Sequence, residues 1–341
     1  MEKIINDSNV KLVKFWQGKR VLITGITGFI GSNLALSLLD KGAHVTGLVR
    51  DKVSKSNFQI SGIEPKITIV NGELENLALL ERIIVKYEIE YIFHLGAQSI
   101  VNLANRSPVS TFEANIQGTW YVLEAARRMG GVQGIVVAGS YTSYGKHETL
   151  PYKENFCLLS TSPYDISKAC ADLISRGYSH TYGLSVAVLR CSNTYGPGDL
   201  NSSRIIPDTI KGLLQDRDPI IRSDGTPVRD YLYIEDAINA YLLVAMTIKD
   251  PKIQGQVFNV GTNQPVSVLE VVEKLIKISG KSKLSPKIIG KGILHGEIDC
   301  RYLDSKKISD ALGWSCKTKI DNGLKLTWDW WVSNWNILKE F

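Results

Sequence analysis

No two cysteines in this chain form a C-x-x-C motif, and the five present (Cys157, Cys170, Cys191, Cys300 and Cys316) are scattered through 341 residues. An odd, dispersed set argues against a disulfide framework or a cysteine-rich zinc site, and for a reduced, cytoplasmic protein. Long apolar runs are missing too: none approaches the roughly 18 residues a membrane span needs. The first eight residues, Met-Glu-Lys-Ile-Ile-Asn-Asp-Ser, have no apolar core of the signal-peptide kind. There is no internal repeat, no low-complexity tract and no residue spacing suited to a metal. Charge of one sign is scarce, with 40 Lys+Arg against 34 Asp+Glu and a net +6. That surplus is too mild and too dispersed to call for nucleic acid, although it suits an anionic ligand. What is there, 44% hydrophobic and 22% charged residues, is ordinary for a protein with a sizeable core. The length allows one large domain or two unequal ones.

Apolar runs and helical spacing alternate through the first half. A β-rich run over 20–24 stops at a glycine cluster, and residues 29–39 follow with helical spacing. Strands are expected at 44–49, 67–70, 91–95, 134–138 and 185–189, and helices near 77–87, 109–128 and 163–182. This alternation predicts an α/β fold with a parallel sheet covered on both faces. After about residue 192 the pattern loosens, punctuated by Pro197, Gly198, Pro207, Pro219, Gly225 and Pro227. A late strand-like run, 256–260, is expected to rejoin the first sheet. The second region is therefore smaller and interleaved with the first.

Thr24–Gly31 carries glycines at G-x-x-G-x-x-G spacing between a strand and a helix. A dinucleotide pyrophosphate needs this: a tight turn, close backbone approach and a helix N-terminus whose N–H groups favour negative charge. Gly25, Thr27, Gly28, Phe29, Ile30 and Gly31 are the candidate contacts. About 20 residues on, an acidic residue suits the ribose of NAD and an arginine the phosphate of NADP. Arg50 and Asp51 both stand there, so both cofactors stay open. Downstream, Tyr164 and Lys168 share a helical face at i and i+4, with Ser162 as N-cap and Pro163 in the first turn. An ammonium beside a phenol is expected to lower the phenol towards neutrality and fit it to take a proton from a hydroxyl. Holding the nicotinamide ribose is a second task open to Lys168.

With these motifs in place, the chain resembles an extended short-chain dehydrogenase/reductase of the NAD-dependent nucleotide-sugar epimerase/dehydratase family. The resemblance runs nearly end to end, through Thr24–Gly31, His94–Gln98, Asn115–Thr119, Ser140 with Tyr144-Gly145, Ser162–Tyr164 with Lys168, Asn193–Gly198 and Val228–Asp236. Phe15–Val21 and His94–Val101 look most like the CDP-glucose 4,6-dehydratase branch. The resemblance implies a Rossmann-type doubly wound parallel sheet and a tightly bound NAD or NADP, with Leu95, Ala97, Gln98 and Asn115 as further cofactor contacts. It implies a dinucleotide-binding domain over 1–192 plus about 230–262, and a nucleotide-sugar-binding domain over about 193–229 and 263–341. Ser140 would complete a catalytic set with Tyr164 and Lys168. The reaction it implies begins with hydride transfer from C4 of a nucleoside-diphosphate hexose.

A 4,6-dehydratase then needs an acid and a base, which the family places directly after the Ser/Thr. Here those positions hold Tyr141 and Thr142. Threonine is no carboxylate base, so dehydration would require a stand-in such as Tyr141 or Cys191. C4 epimerisation needs only Ser140, Tyr164, Lys168 and the cofactor, and is the favoured outcome. The alternatives are 4,6-dehydration, reduction of a 4-keto sugar nucleotide, and a dinucleotide sensor without chemistry. The resemblance implies substrate contacts at Tyr141, Thr142, Asn193, Arg204, Arg229 and, two places displaced, Arg301; a guanidinium fork suits phosphate. Helices containing 112–128 and 164–182 resemble the pair that forms a four-helix homodimer interface. His94 reads as structural, and the spacing of Trp328, Trp331 and Trp335 as packing rather than base stacking.

Overall fold

Strands β1 (Arg20–Thr24), β2 (His44–Val49), β3 (Thr68–Asn71), β4 (Tyr91–His94), β5 (Gly134–Ser140), β6 (Val186–Cys191) and β10 (Val257–Val260) form one sheet in the order β10-β6-β5-β4-β1-β2-β3. Every pairing in it is parallel. The computed structural model describes residues 10–53, 56–292 and 298–339. The signal-peptide reading of the first eight residues concerns positions outside them. The central strands β4 and β6 are buried along their whole length, as a parallel sheet covered on both faces requires. This is a Rossmann-type α/β fold.

Helices α1 (Phe29–Asp40), α2 (Leu77–Lys86), α3 (Gly118–Met129), α4 (Pro163–Tyr182), α5 (Ile205–Leu214), α6 (Ile234–Thr247), α7 (Val268–Ser279) and α8 (Ile320–Leu338) surround the sheets. One face of the large sheet packs against α2, α3 and α4, over a core that includes Leu80, Ile92, Val122 and Val188. The opposite face carries α1 and α6, over Trp16, Ile23, Phe93, Tyr241 and Phe258. Local chemistry sets the ends of α4. The Ser162 side chain accepts from the Asp165 backbone N–H, Pro163 fills the first turn, and Gly183 stops the helix in the left-handed region at φ 69°. The helix expected over 109–128 is interrupted: Pro108–Phe112 leads into a π-helical turn, Glu113–Gln117, before α3.

A single residue, Ser192, separates β6 from β7 (Asn193–Tyr195), which belongs to a second sheet. There β9 (Val228–Tyr233) is flanked by β11 (Pro265–Ser267), with β7 and β13 (Cys300–Arg301) also paired to it. A two-stranded pair, β8 (Ile220–Ile221) and β12 (Lys287–Ile288), lies apart from it. Trp314, Trp328 and Trp331 are buried in the larger core, so these indoles pack the fold. The C-terminal ends of β1, β4, β5 and β6 open towards the second sheet, the usual place for a ligand in an open α/β fold.

Candidate active site

Glycine is obligatory in the loop after β1. Gly25 sits at φ +71°, and a Cβ there would come within 2.7 Å of the Gly96 backbone. A Cβ at Gly31 would overlap the Gly25 carbonyl oxygen. The N-cap of α1 is Gly28, and no side chain caps the helix. Its first N–H groups are thus left to a ligand, and no side chain holds an anion away from them. These features fit a dinucleotide pyrophosphate.

The loop is braced by a buried chain of hydrogen bonds. Gly96 N–H donates to Thr24 Oγ1 (3.0 Å), Thr24 Oγ1 meets His94 Nδ1 (2.8 Å) and His94 Nε2 meets Thr119 Oγ1 (3.0 Å). Thr119 in turn donates to the Asn115 carbonyl (2.6 Å). Burial pushes the His94 imidazole down to about 3, so it is neutral, with Nδ1 accepting and Nε2 donating. His94 is a structural histidine. Asn115 is equally committed: Oδ1 accepts from Gln98 N–H (2.6 Å), while Nδ2 donates to Ser167 Oγ (2.9 Å) and the Gln98 carbonyl (3.1 Å). It ties the loop after β4 to α4.

A cleft of about 1360 Å³ runs past this loop. Ligand pockets usually measure about 300–1,000 Å³, so this one has room for more than one ligand. Among the expected residues, its lining brings together Gly25, Thr27, Gly28, Phe29, Ile30, Gly31, Leu95, Ala97, Ser140, Tyr141, Thr142, Tyr164, Lys168, Asn193, Arg204, Arg229 and Arg301. Arg50, Asp51, Gln98 and Asn115 lie outside the lining. Arg50 and Asp51 are exposed and ion-paired, Nε to Oδ2, at 2.6 Å. Among the lining residues that escaped the sequence reading are Asp165, Asp199 and Arg222. Asp165 comes directly after the catalytic-type tyrosine, and that adjacency was the available signal.

Ser140 ends β5, while Tyr164 and Lys168 lie one turn apart on α4. The Ser140 hydroxyl neighbours the Tyr164 phenol, and its Oγ is 2.9 Å from Thr142 Oγ1. The electrostatics differ from expectation. Burial pushes the Tyr164 phenol up, to about 12, against the lowering effect of the Arg204 charge and the Ser140 hydroxyl. Lys168 does not bring it down. Its ammonium donates to the Ala138 carbonyl (2.9 Å), and burial lowers it to about 8. For each group burial outweighs what its neighbours offer the charged form, and the neutral form is favoured.

Neither expected stand-in is a base. Burial raises the Tyr141 phenol, whose hydroxyl donates to Asn193 Oδ1 (3.0 Å). Burial also pushes the Cys191 thiol up, to about 12. The lining carboxylates are Asp165 and Asp199, and Asp199 accepts from Arg204 Nη1 (3.2 Å). Arg229 and Arg301 are register partners on the paired strands β9 and β13. Like charges side by side on a sheet repel, so the arrangement suits an anion shared between them.

A family model described as GDP-mannose 4,6 dehydratase matches residues 22–327. The chain belongs to this family. It is an enzyme of the nucleotide-sugar epimerase/dehydratase kind, within the short-chain dehydrogenases/reductases. Among curated relatives, CDP-glucose 4,6-dehydratase of Salmonella typhimurium is 29% identical over 88% of this chain and 87% of its own length. A putative UDP-glucose 4-epimerase of Methanocaldococcus jannaschii is 31% identical over 92% of this chain and 99% of its own. The enzyme spans about half (48%) of a trifunctional UDP-glucose 4,6-dehydratase of Arabidopsis thaliana that it also matches. Solved structures are similar as well. UDP-glucose 4-epimerase of Thermotoga maritima with UDP-glucose has TM-score 0.84, 29% identity and coverage of 93% of this chain and 99% of that one. dTDP-glucose 4,6-dehydratase of Bacillus anthracis with NAD has TM-score 0.82, 28% identity and coverage of 94% and 98%.

Proposed function

We propose that the enzyme inverts C4 of a nucleoside-diphosphate hexose, using a tightly held NAD. Bound NAD would accept the C4 hydride and return the same hydride to the opposite face of the sugar. Gly25, Gly28 and Gly31 would admit its pyrophosphate to the N-terminus of α1, and Lys168 would hold a ribose hydroxyl. NAD is favoured over NADP because the Arg50 charge is matched by Asp51, and because the B. anthracis structure contains NAD. Tyr164 would take the proton of the C4 hydroxyl and give it back, with Ser140 linking it to that hydroxyl, once the positive nicotinamide ring of bound NAD brings the phenol down from the high value that burial sets. Arg229 and Arg301 clamp the substrate diphosphate, assisted by Arg204 and Asn193. In this reading residues 1–192 and about 230–262 carry the dinucleotide, and about 193–229 and 263–341 carry the sugar nucleotide.

The observation that carries epimerisation lies in the two positions after Ser140. Tyr141 and Thr142 offer no carboxylate, and burial keeps both Tyr141 and Cys191 protonated. A second reading, 4,6-dehydration, is supported by Asp165, a carboxylate in the same lining that would have to serve as the C5 base. The purified enzyme incubated with UDP-, dTDP-, CDP- and GDP-hexoses decides between them. Unchanged mass with inversion at C4 by NMR is expected, and loss of one water would overturn epimerisation. Tyr164→Phe is expected to abolish turnover by at least about a thousandfold while retaining dinucleotide; full turnover in that variant would refute the catalytic assignment.

The enzyme would work as a homodimer through a four-helix bundle. Trp120 on α3 and Leu173 and Tyr182 on α4 are exposed, as are Val101, Leu103 and Val109 on the two short helices before α3. Apolar side chains gathered on neighbouring helices suit a self-complementary face.

A further inference from the structure

Tyr141 stands directly after Ser140, which neighbours the Tyr164 phenol, yet its own polar contacts are with Asn193 and Arg301. Its hydroxyl donates to Asn193 Oδ1 at 3.0 Å, and its ring lies 6.0 Å beneath the Arg301 guanidinium. The side chain is 4% exposed in the cleft wall. An asparagine amide has one accepting face and one donating face. With its oxygen occupied by the Tyr141 hydroxyl, Asn193 must turn its NH2 group the other way. Among the described residues Asn193 Nδ2 meets no acceptor, and Asn193 lines the cleft. Arg301 has a similar need. Its Nε is buried without a hydrogen-bond partner among the described residues, and its strand neighbour is the like-charged Arg229. The π-face of Tyr141 provides the attraction that such a cation lacks.

We infer that Tyr141 is a positioning residue for substrate binding: its hydroxyl fixes Asn193 as a donor, and its ring supports Arg301, so that both meet the diphosphate-sugar in a prepared geometry. This rests on the reading of the cleft as a nucleoside-diphosphate-hexose site. A loose Asn193 would present oxygen to an anionic ligand in part of the population, and binding would weaken without altering the proton transfer at Tyr164.

The test uses the full chain with NAD and whichever of UDP-, dTDP-, CDP- or GDP-glucose the wild type binds by calorimetry. Tyr141→Phe keeps the ring and removes the hydroxyl. It is expected to raise Kd and KM about three- to tenfold, the range of one lost hydrogen bond, with kcat within about twofold. Tyr141→Leu also removes the ring and is expected to raise Kd further. In an Asn193→Ala background Tyr141→Phe is expected to add little, because the group it orients is gone. Unchanged Kd in Tyr141→Phe would overturn the inference, as would a fall in kcat at constant KM, which marks proton transfer. Full additivity with Asn193→Ala would overturn it as well. Failure of the wild type to bind any of the four probes would instead refute the nucleotide-sugar reading itself.

Discussion

Lys168→Met is expected to make the protein more stable while removing its activity. The lysine is 8% exposed, among the described residues its ammonium bonds only the Ala138 carbonyl, and burial lowers it from 10.5 to about 8. That difference corresponds to about 3 kcal/mol by which the fold disfavours the charged form at neutral pH. Methionine keeps the stem and discards the charge. Leaving the Ala138 carbonyl without its donor costs about 1–2 kcal/mol, so a net gain of about 1–2 kcal/mol remains. For 341 residues, about 2.1 cal/mol/K of unfolding entropy per residue turns this into a Tm rise of roughly 1.5–3 °C. The pH dependence carries a definite sign. Between pH 8 and 10.5 the unfolded chain holds the lysine proton more readily than the native state does. Wild-type stability relative to the variant therefore rises through that window, and the gap closes. Below pH 8 the gap is full. Thermal unfolding of both proteins by circular dichroism from pH 6.5 to 10 measures it. A Met variant no more stable than wild type at pH 7, or a gap indifferent to pH, would refute the reasoning.

Other expectations concern different parts of the molecule. Gly31→Ala places a Cβ against the Gly25 carbonyl; the loop must shift, and NAD affinity by calorimetry is expected to fall at least about tenfold, with a stability loss of about 1–3 kcal/mol. Leu173→Asp puts a charge on an exposed apolar site of α4. Sedimentation is expected to give twice the chain mass for the wild type and the single mass for the variant, and a monomeric wild type would end the dimer reading.

Much of the large sheet was legible because its signals are local. β1, β2 and α4 begin and end where the pattern puts them, and for α4 the reason is visible in Ser162, Pro163 and Gly183. β5 and β6 run two residues past the apolar stretch, to Ser140 and Cys191. Gly139, Ser140 and Arg190 do not look like strand interior, yet they are laddered across the two strands. Arg190 is tolerated there because Asp172 meets its Nε at 2.8 Å and the Tyr144 ring lies 4.6 Å below the guanidinium. That partnership joins three elements and leaves no local mark. The π-helical turn at Glu113–Gln117 is silent for a similar reason, since one extra residue per turn hardly disturbs an apolar stripe. In the cleft, spacing and resemblance brought out Ser140, Tyr164 and Lys168. The direction in which their protons are held depends on burial, a property of the assembled wall, and so could not be read from the i, i+4 pair.

The placement of β10 reaches back to how the chain is made. Its four residues, with Phe258 and Val260 sealed from solvent, close the sheet against β6, although β6 ends at Cys191. Until residue 260 has left the ribosome, the strand that carries Cys191 presents an unsatisfied backbone edge beside the catalytic strand β5. Synthesis proceeds at about 5–20 residues per second, so a nascent chain carries that edge for several seconds at the least. Premature termination shortly before β10 would make the exposure permanent, yielding a polypeptide prone to pair with its own kind.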